Sequence, residues 1–152
     1  MDSYRFVSVC DEVFVFLDEF GYKLTGATAD ALSWEVAYVN STTAIKIDYE
    51  QRDQDIFIRL QPTPDSSGHA EEFNFWYLSF YLQNVLQIRA PEALSALCQK
   101  RDRDRSMTDE EIINYVDRSA KALFRYADDV LRGDFSIYGE ITSLYDGLRL
   151  ED

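Results

Sequence analysis

Leu32 to Gln61 reads LSWEVAYVNSTTAIKIDYEQRDQDIFIRLQ. Three runs in it alternate with a period of two. Leu32, Trp34, Val36 and Tyr38 alternate with Ser33, Glu35 and Ala37; Ile45, Ile47 and Tyr49 with Lys46, Asp48 and Glu50; Ile56, Ile58 and Leu60 with Phe57, Arg59 and Gln61. Successive side chains of a strand point to opposite faces, so each run has one apolar face and one polar face. Asn40-Ser41-Thr42 and Gln51-Arg52-Asp53 lie between the runs as turns. Connections this short join antiparallel neighbours, and the stretch predicts a β-meander. A lead-in strand from Lys23 to Thr28 would make a fourth. The apolar face needs a cover, which must come from outside the stretch. The opposite face, with Glu35, Lys46, Asp48 and Arg59, is expected to meet water.

The cover is legible on both sides. Upstream, Tyr4 to Phe20 has helical spacing, with Phe6, Val9, Val13, Phe16, Leu17 and Phe20 inward and Gly21 placed as a C-terminal stop. Downstream, Thr108 to Gly133 is the longest helical pattern in the chain. Thr108 and Glu111 form a capping box, and Asp109, Glu110 and Glu111 place negative charge on the positive end of the helix dipole. Ile112, Val116, Leu123, Ala127 and Val130 make one apolar stripe, widened by Ile113, Ala120, Phe124 and Leu131. Gly133 ends it, and a final helix follows over about residues 135–148, with Ile137, Ile141, Leu144 and Leu148 inward.

Between sheet and long helix the pattern is less regular. Pro62-Thr63-Pro64-Asp65-Ser66-Ser67-Gly68 breaks the sheet as a surface loop rather than a domain boundary. Residues 72–88 are rich in aromatics, and beyond Trp76 the set Tyr77, Tyr81, Leu82, Val85 and Leu86 suits a helix. Pro91 opens a short helix to about Gln99, with Leu94, Leu97 and Cys98 inward. Lys100 to Arg105 alternates charges without an apolar anchor and reads as a link. The expectation is one α+β domain over residues 1–152. It has an N-terminal helix, a three- to four-stranded antiparallel meander and a helical C-terminal half packed on one sheet face.

The 152 residues carry a formal net charge of −13, with 46% hydrophobic residues that argue against disorder. Nucleic-acid binders draw their affinity from neutralising phosphates with cations, so direct DNA or RNA binding is disfavoured, and an anionic membrane surface likewise. A basic protein partner suits the charge, since complementary fields speed encounter; acidity also serves solubility alone. The N-terminal apolar residues are interrupted by Asp11, Glu12, Asp18 and Glu19, unlike a signal peptide. No segment is long enough to span a bilayer. The cytoplasm is the expected location.

Chemical signatures are sparse. Cys10 and Cys98 are two distant cysteines in apolar helical contexts, expected as buried, reduced thiols rather than a disulfide or a zinc site. His69 is the only histidine, and Ser66 and Ser67 are too near it for a hydrolase triad. The acid pairs at 11–12, 18–19, 71–72, 110–111 and 128–129 fall mostly beside outward helical positions and read as solvated faces, not as acid–base machinery. Asp48, Glu50, Asp53 and Asp55 cluster at a hairpin but lack the glycine and terminal glutamate of a calcium loop. The expectation is therefore no catalytic residue, no metal and no cofactor. A partner surface is the remaining candidate. Its residues are the carboxylates Glu35, Asp48, Glu50, Asp53 and Asp55 together with Trp76, Tyr77 and Tyr81, because Tyr and Trp anchor interfaces.

The segment from Ala122 to Ser136, ALFRYADDVLRGDFS, resembles the C-terminal helix-stop of small bacterial proteins. With the leading helix, the meander and the acidic balance, the chain looks like immunity proteins of bacterial toxin systems. That resemblance implies a non-enzymatic protein that binds and neutralises a cognate toxin. Two readings compete with it. One is a small-ligand protein or enzyme with a pocket between sheet and helices; the other is a DNA-mimicking inhibitor, which would need carboxylates at phosphate-like spacing across one face. A patch for a partner and a patch for self-association read alike, so the oligomeric state stays open.

Overall fold

The computed structural model describes residues 1–63, 79–98 and 106–150, without the side chains of 145–150. Five antiparallel strands lie in sequence order, β1 Lys23–Ala29, β2 Ser33–Val39, β3 Thr43–Glu50, β4 Asp55–Pro62 and β5 Phe80–Tyr81. Helix α1 (Ser3–Val13) precedes them. Helices α2 (Leu82–Arg89), α3 (Pro91–Leu97), α4 (Asp109–Tyr126), α5 (Asp128–Leu131) and α6 (Ile137–Leu150) follow. The protein is α+β, as the alternation of Leu32–Gln61 predicts. The lead-in strand is present as β1, and β5 adds a fifth.

The register is the one the period demands. Val36, Ile47 and Ile58 stand in line across β2, β3 and β4, as do Trp34, Tyr49 and Ile56. These rows face the helices. Phe6 of α1 meets Trp34 and Tyr49 at ring-centroid distances of 5.7 and 5.8 Å. Ile45, Ile47, Ile56, Ile58 and Leu60 are buried against a layer that includes Leu82 and Leu86 of α2 and Ile112, Val116 and Leu123 of α4. Burying aliphatic side chains of this size contributes about 1.5–3 kcal/mol each. This helix–sheet interface is therefore the main source of stability.

Polar bonds tie the turns into that layer. The Asn40 side-chain oxygen accepts from the backbone of Thr42 and Thr43 at 2.9 and 2.8 Å, which closes the β2–β3 turn. The buried Thr43 hydroxyl donates to the Val130 carbonyl at 3.0 Å, and the Tyr22 hydroxyl to the Leu131 carbonyl at 2.9 Å. Both carbonyls belong to α5, so α5 is held against the sheet by hydrogen bonds as well as by Val130 and Leu131 packing.

Several expected details differ. The first helix does not run through to Phe20. It stops at Val13, and a 3-10 turn from Val15 to Phe20 carries the chain to Gly21, which has the left-handed φ of 81° its position predicts. The change of winding alters the buried phase: Phe6, Cys10, Phe14 and Leu17 are the buried residues, while Val9, Val13, Phe16 and Phe20 are half-buried. The long helix also breaks early, at Ala127, and restarts as α5. Arg89 explains the break. Its guanidinium donates to the Tyr126 carbonyl at 2.6 Å and to both Asp129 oxygens at 2.7 and 2.6 Å, capping the end of α4 and holding the first turn of α5. Phe124, expected inward, is exposed. Leu144 is exposed, and Leu148 lies outside the described side chains.

Two further expectations need correcting at the sheet edge and in α3. Phe80 and Tyr81 are not helical; they pair with Leu60 and Arg59, and α2 begins only at Leu82. Cys98 is exposed rather than buried, because α3 turns only Leu97 fully inward. Cys10 is buried as expected, and burial pushes its thiol up to about 12. Pro62 closes β4 in register with Thr43, so the break falls after it. The loop beyond it, the aromatic residues up to 78, His69 and the link at 100–105 lie outside the described residues.

Candidate functional site

The side chains that alternate away from the helices form the outer face of the sheet. β2 presents Glu35, β3 presents Lys46, Asp48 and Glu50, β4 presents Phe57 and Arg59, and β5 presents Tyr81. Cross-strand pairing sets who meets whom. Glu35 stands directly opposite Asp48, and Asp48 opposite Phe57. Lys46 stands opposite Arg59, and Arg59 opposite Tyr81. Glu50 stands opposite Asp55. Three adjacent pairs therefore carry like charges, an arrangement that destabilises a sheet unless something offsets it.

Asp48 shows the cost. Its carboxyl is pushed up to about 7, first by burial and then by the hydrogen bond and negative charge of Glu35, with Glu50 adding to the rise and Arg59 opposing it. Burial and the facing carboxylate both disfavour the charged form of Asp48. Glu35, Asp48 and Glu50 are half-buried rather than fully wet. That is a correction to the expected solvated face, and it is why burial leads the causes.

Beside the acids sits an ordered aromatic. The Arg59 guanidinium lies 5.6 Å from the Tyr81 ring centroid and donates to the Tyr81 hydroxyl at 3.3 Å. Phe57 meets the same ring at 5.7 Å. Tyr81 is thus held from both sides, exposed and with few rotamers left to lose. Burial lowers and the Tyr81 hydrogen bond raises the Arg59 guanidinium, with a net rise.

Of the expected surface residues, the sheet brings Glu35, Asp48, Glu50 and Tyr81 onto one face. Asp55 lies at its end and is engaged internally, accepting from the Tyr115 hydroxyl of α4 at 3.3 Å. Asp53 sits on the β3–β4 turn, exposed, beside Gln54, which takes a left-handed φ of 51°. Trp76 and Tyr77 lie outside the described residues. Phe57 and Arg59, which hold Tyr81, are not among the expected partner-surface residues, although Arg59 is expected on this face. Their signal was present: both alternate in phase with Asp55. What was invisible was the partner, because β5 is too short to show a period.

The chemistry of this face is that of charge recognition. A facing carboxyl pair, a guanidinium and a phenol can accept a cation and stack a side chain. Among the described residues no group of three or more His, Cys, Asp or Glu side chains is placed to hold a metal ion. No helix among them is long and apolar enough to cross a membrane. No family model, curated protein or solved structure matches the chain.

Proposed function

We propose that the protein is a non-enzymatic acidic binding protein of the immunity type, which neutralises a basic partner protein by docking it on the outer sheet face. One observation carries this reading: Glu35 and Asp48 oppose each other across β2 and β3 on a half-buried face, where burial and the facing carboxylate raise the Asp48 carboxyl. A carboxyl pair in this state has unspent electrostatic energy. A lysine or arginine placed between the two would favour the ionised form of Asp48 and turn repulsion into two charge-assisted bonds. Tyr81, fixed by Phe57 and Arg59, supplies an aromatic anchor next to the pair. The net charge of −13 steers a cationic partner toward the molecule.

The test is isolation from the native cell with mild cross-linking, followed by identification of what accompanies the protein. A basic protein in near-equal amount supports the reading if salt weakens its association and the double variant Glu35→Gln, Asp48→Asn weakens it further. A small metabolite with no protein partner would refute it.

A further inference from the structure

One groove on the helical side is lined by cations. Between α3 and α4 runs a groove of about 240 Å³ with an apolar floor from Ala93, Ala96, Leu97 and Ala122. Among the described residues its ionisable lining consists of Arg118, Lys121 and Arg125, all from α4 and all exposed, with no carboxylate. Lys121 pairs along the helix with Asp117 at 2.9 Å, and Arg125 lies over the Tyr126 ring at 5.2 Å. Arg118 makes no ion pair among the described residues. A row of three cations around an apolar slot stands out in a chain with nearly twice as many acids as bases, 28 against 15.

The geometry selects the occupant. Positions 118, 121 and 125 are three and four residues apart, so the cations stand in one row about 10 Å long at 1.5 Å per residue. The same steps on a second helix place carboxylates at matching intervals and aliphatic side chains one face away. The floor is built mainly from alanines, which lets a docked helix approach closely enough to fill the slot with those aliphatic side chains. We propose that the α3–α4 groove docks an amphipathic helix of a partner protein, with acidic residues along the flank that meets Arg118, Lys121 and Arg125. This inference is independent of the sheet-face reading, because it uses the opposite layer and the opposite sign of charge.

The probe is a stapled amphipathic peptide of about 14 residues, long enough for four turns, with leucines on one face and glutamates on its flanks. It is titrated into the full-length, isotope-labelled protein and followed by NMR. Saturable shifts centred on Ala93, Ala96, Ala122 and Tyr126 are expected. The double variant Arg118→Glu, Arg125→Glu should weaken binding by about tenfold or more, as expected for direct charge pairs. Ala96→Trp, which fills the slot without changing charge, should weaken it comparably, while Glu35→Gln on the sheet should leave it unchanged. Circular dichroism confirms that each variant is folded. The proposal fails if the peptide does not bind, or if the same peptide with lysines for glutamates binds as tightly. It also fails if phosphatidylglycerol vesicles shift the groove and the peptide does not, since the occupant would then be an anionic membrane.

Discussion

A methyl group added to Gly133 would sit 2.8 Å from Cβ of Thr42. The two residues belong to the α5 exit and the β2–β3 turn, and their close approach lets α5 lie against the sheet. Gly133 also has a φ of 94°, a region that side-chain-bearing residues avoid. Gly133→Ala should therefore cost about 2–3 kcal/mol, combining backbone strain with steric push on the turn. Gly139 is the control. It lies in α6 with nothing among the described residues within 4 Å of its would-be Cβ, so Gly139→Ala should be neutral or stabilising by up to about 1 kcal/mol. Urea unfolding of the two variants separates the cases, and equal effects would contradict the close approach.

Asp48 makes a signed prediction about pH. Its folded carboxyl sits at about 7, above the 3.8 of a free aspartate, so folding favours its protonated form. The contribution is fully present below the unfolded value and is lost as pH rises through about 7. Asp48→Asn keeps the shape and removes the ionisation. At pH 8 it should stabilise the protein by about 1–2 kcal/mol, discounted for solvent screening of a partly exposed group. At pH 4 the gain should vanish. Unfolding curves at the two pH values check it, and a carboxyl-carbon NMR titration locates the group directly.

Arg89 and Asp129 carry the opposite sign. The guanidinium beside Asp129 holds its carboxyl below the usual range, with burial opposing. That stabilisation is present above the unfolded value and is lost as pH falls through the lowered folded value. Arg89→Lys cannot reproduce the paired bonds to Asp129 together with the bond to the Tyr126 carbonyl. It should cost about 1 kcal/mol, since the pair is partly exposed. Arg89→Ala and Asp129→Ala together should cost less than the sum of the two, and strict additivity in a double-mutant cycle would show that the bridge carries no coupling.

The two thiols should differ in reactivity. Cys10 is buried with its thiol raised to about 12, whereas Cys98 is exposed at the end of α3. The thiolate is the reactive form. Iodoacetamide should label Cys98 in the folded protein and Cys10 only after unfolding, as read by peptide mass spectrometry. Rapid labelling of Cys10 under native conditions would mean that α1 leaves the sheet readily.

How much of this was legible beforehand depends on where each cause lies. β2, β3 and β4 were readable because a strand buried on one face writes its period into its own residues. The cap of α4 was readable for the same reason: the Thr108 hydroxyl accepts from Glu111 at 3.2 Å, and the Glu111 carboxylate from Thr108 at 3.3 Å, all within one turn. The break at Ala127 was hidden because alanine carries no stop signal and its cause, Arg89, lies 37 to 40 residues away. Phe124 fits the apolar stripe by spacing, yet the layer below ends before reaching it. It is left as an exposed ring against Phe16 and Phe20, at 5.4 and 6.4 Å. At the candidate site, the acidic face of Glu35, Asp48 and Glu50 could be read from alternation. The raised Asp48 carboxyl could not, because it depends on burial and on which residues of neighbouring strands stand opposite each other.

The order of the sheet, β1-β2-β3-β4-β5, is also the order of synthesis. The first three strands each need only a turn of a few residues to find the next one. Loop closure is cheap at such separations, so this meander can form early and quickly. The slow part is elsewhere. The Tyr22 and Thr43 hydroxyls must wait for carbonyls 109 and 87 residues downstream. Until the helical half arrives, the part of the apolar face that α2 and α4 cover stands open to other chains in the same state, so the interval before helix docking is when the polypeptide is most prone to aggregate.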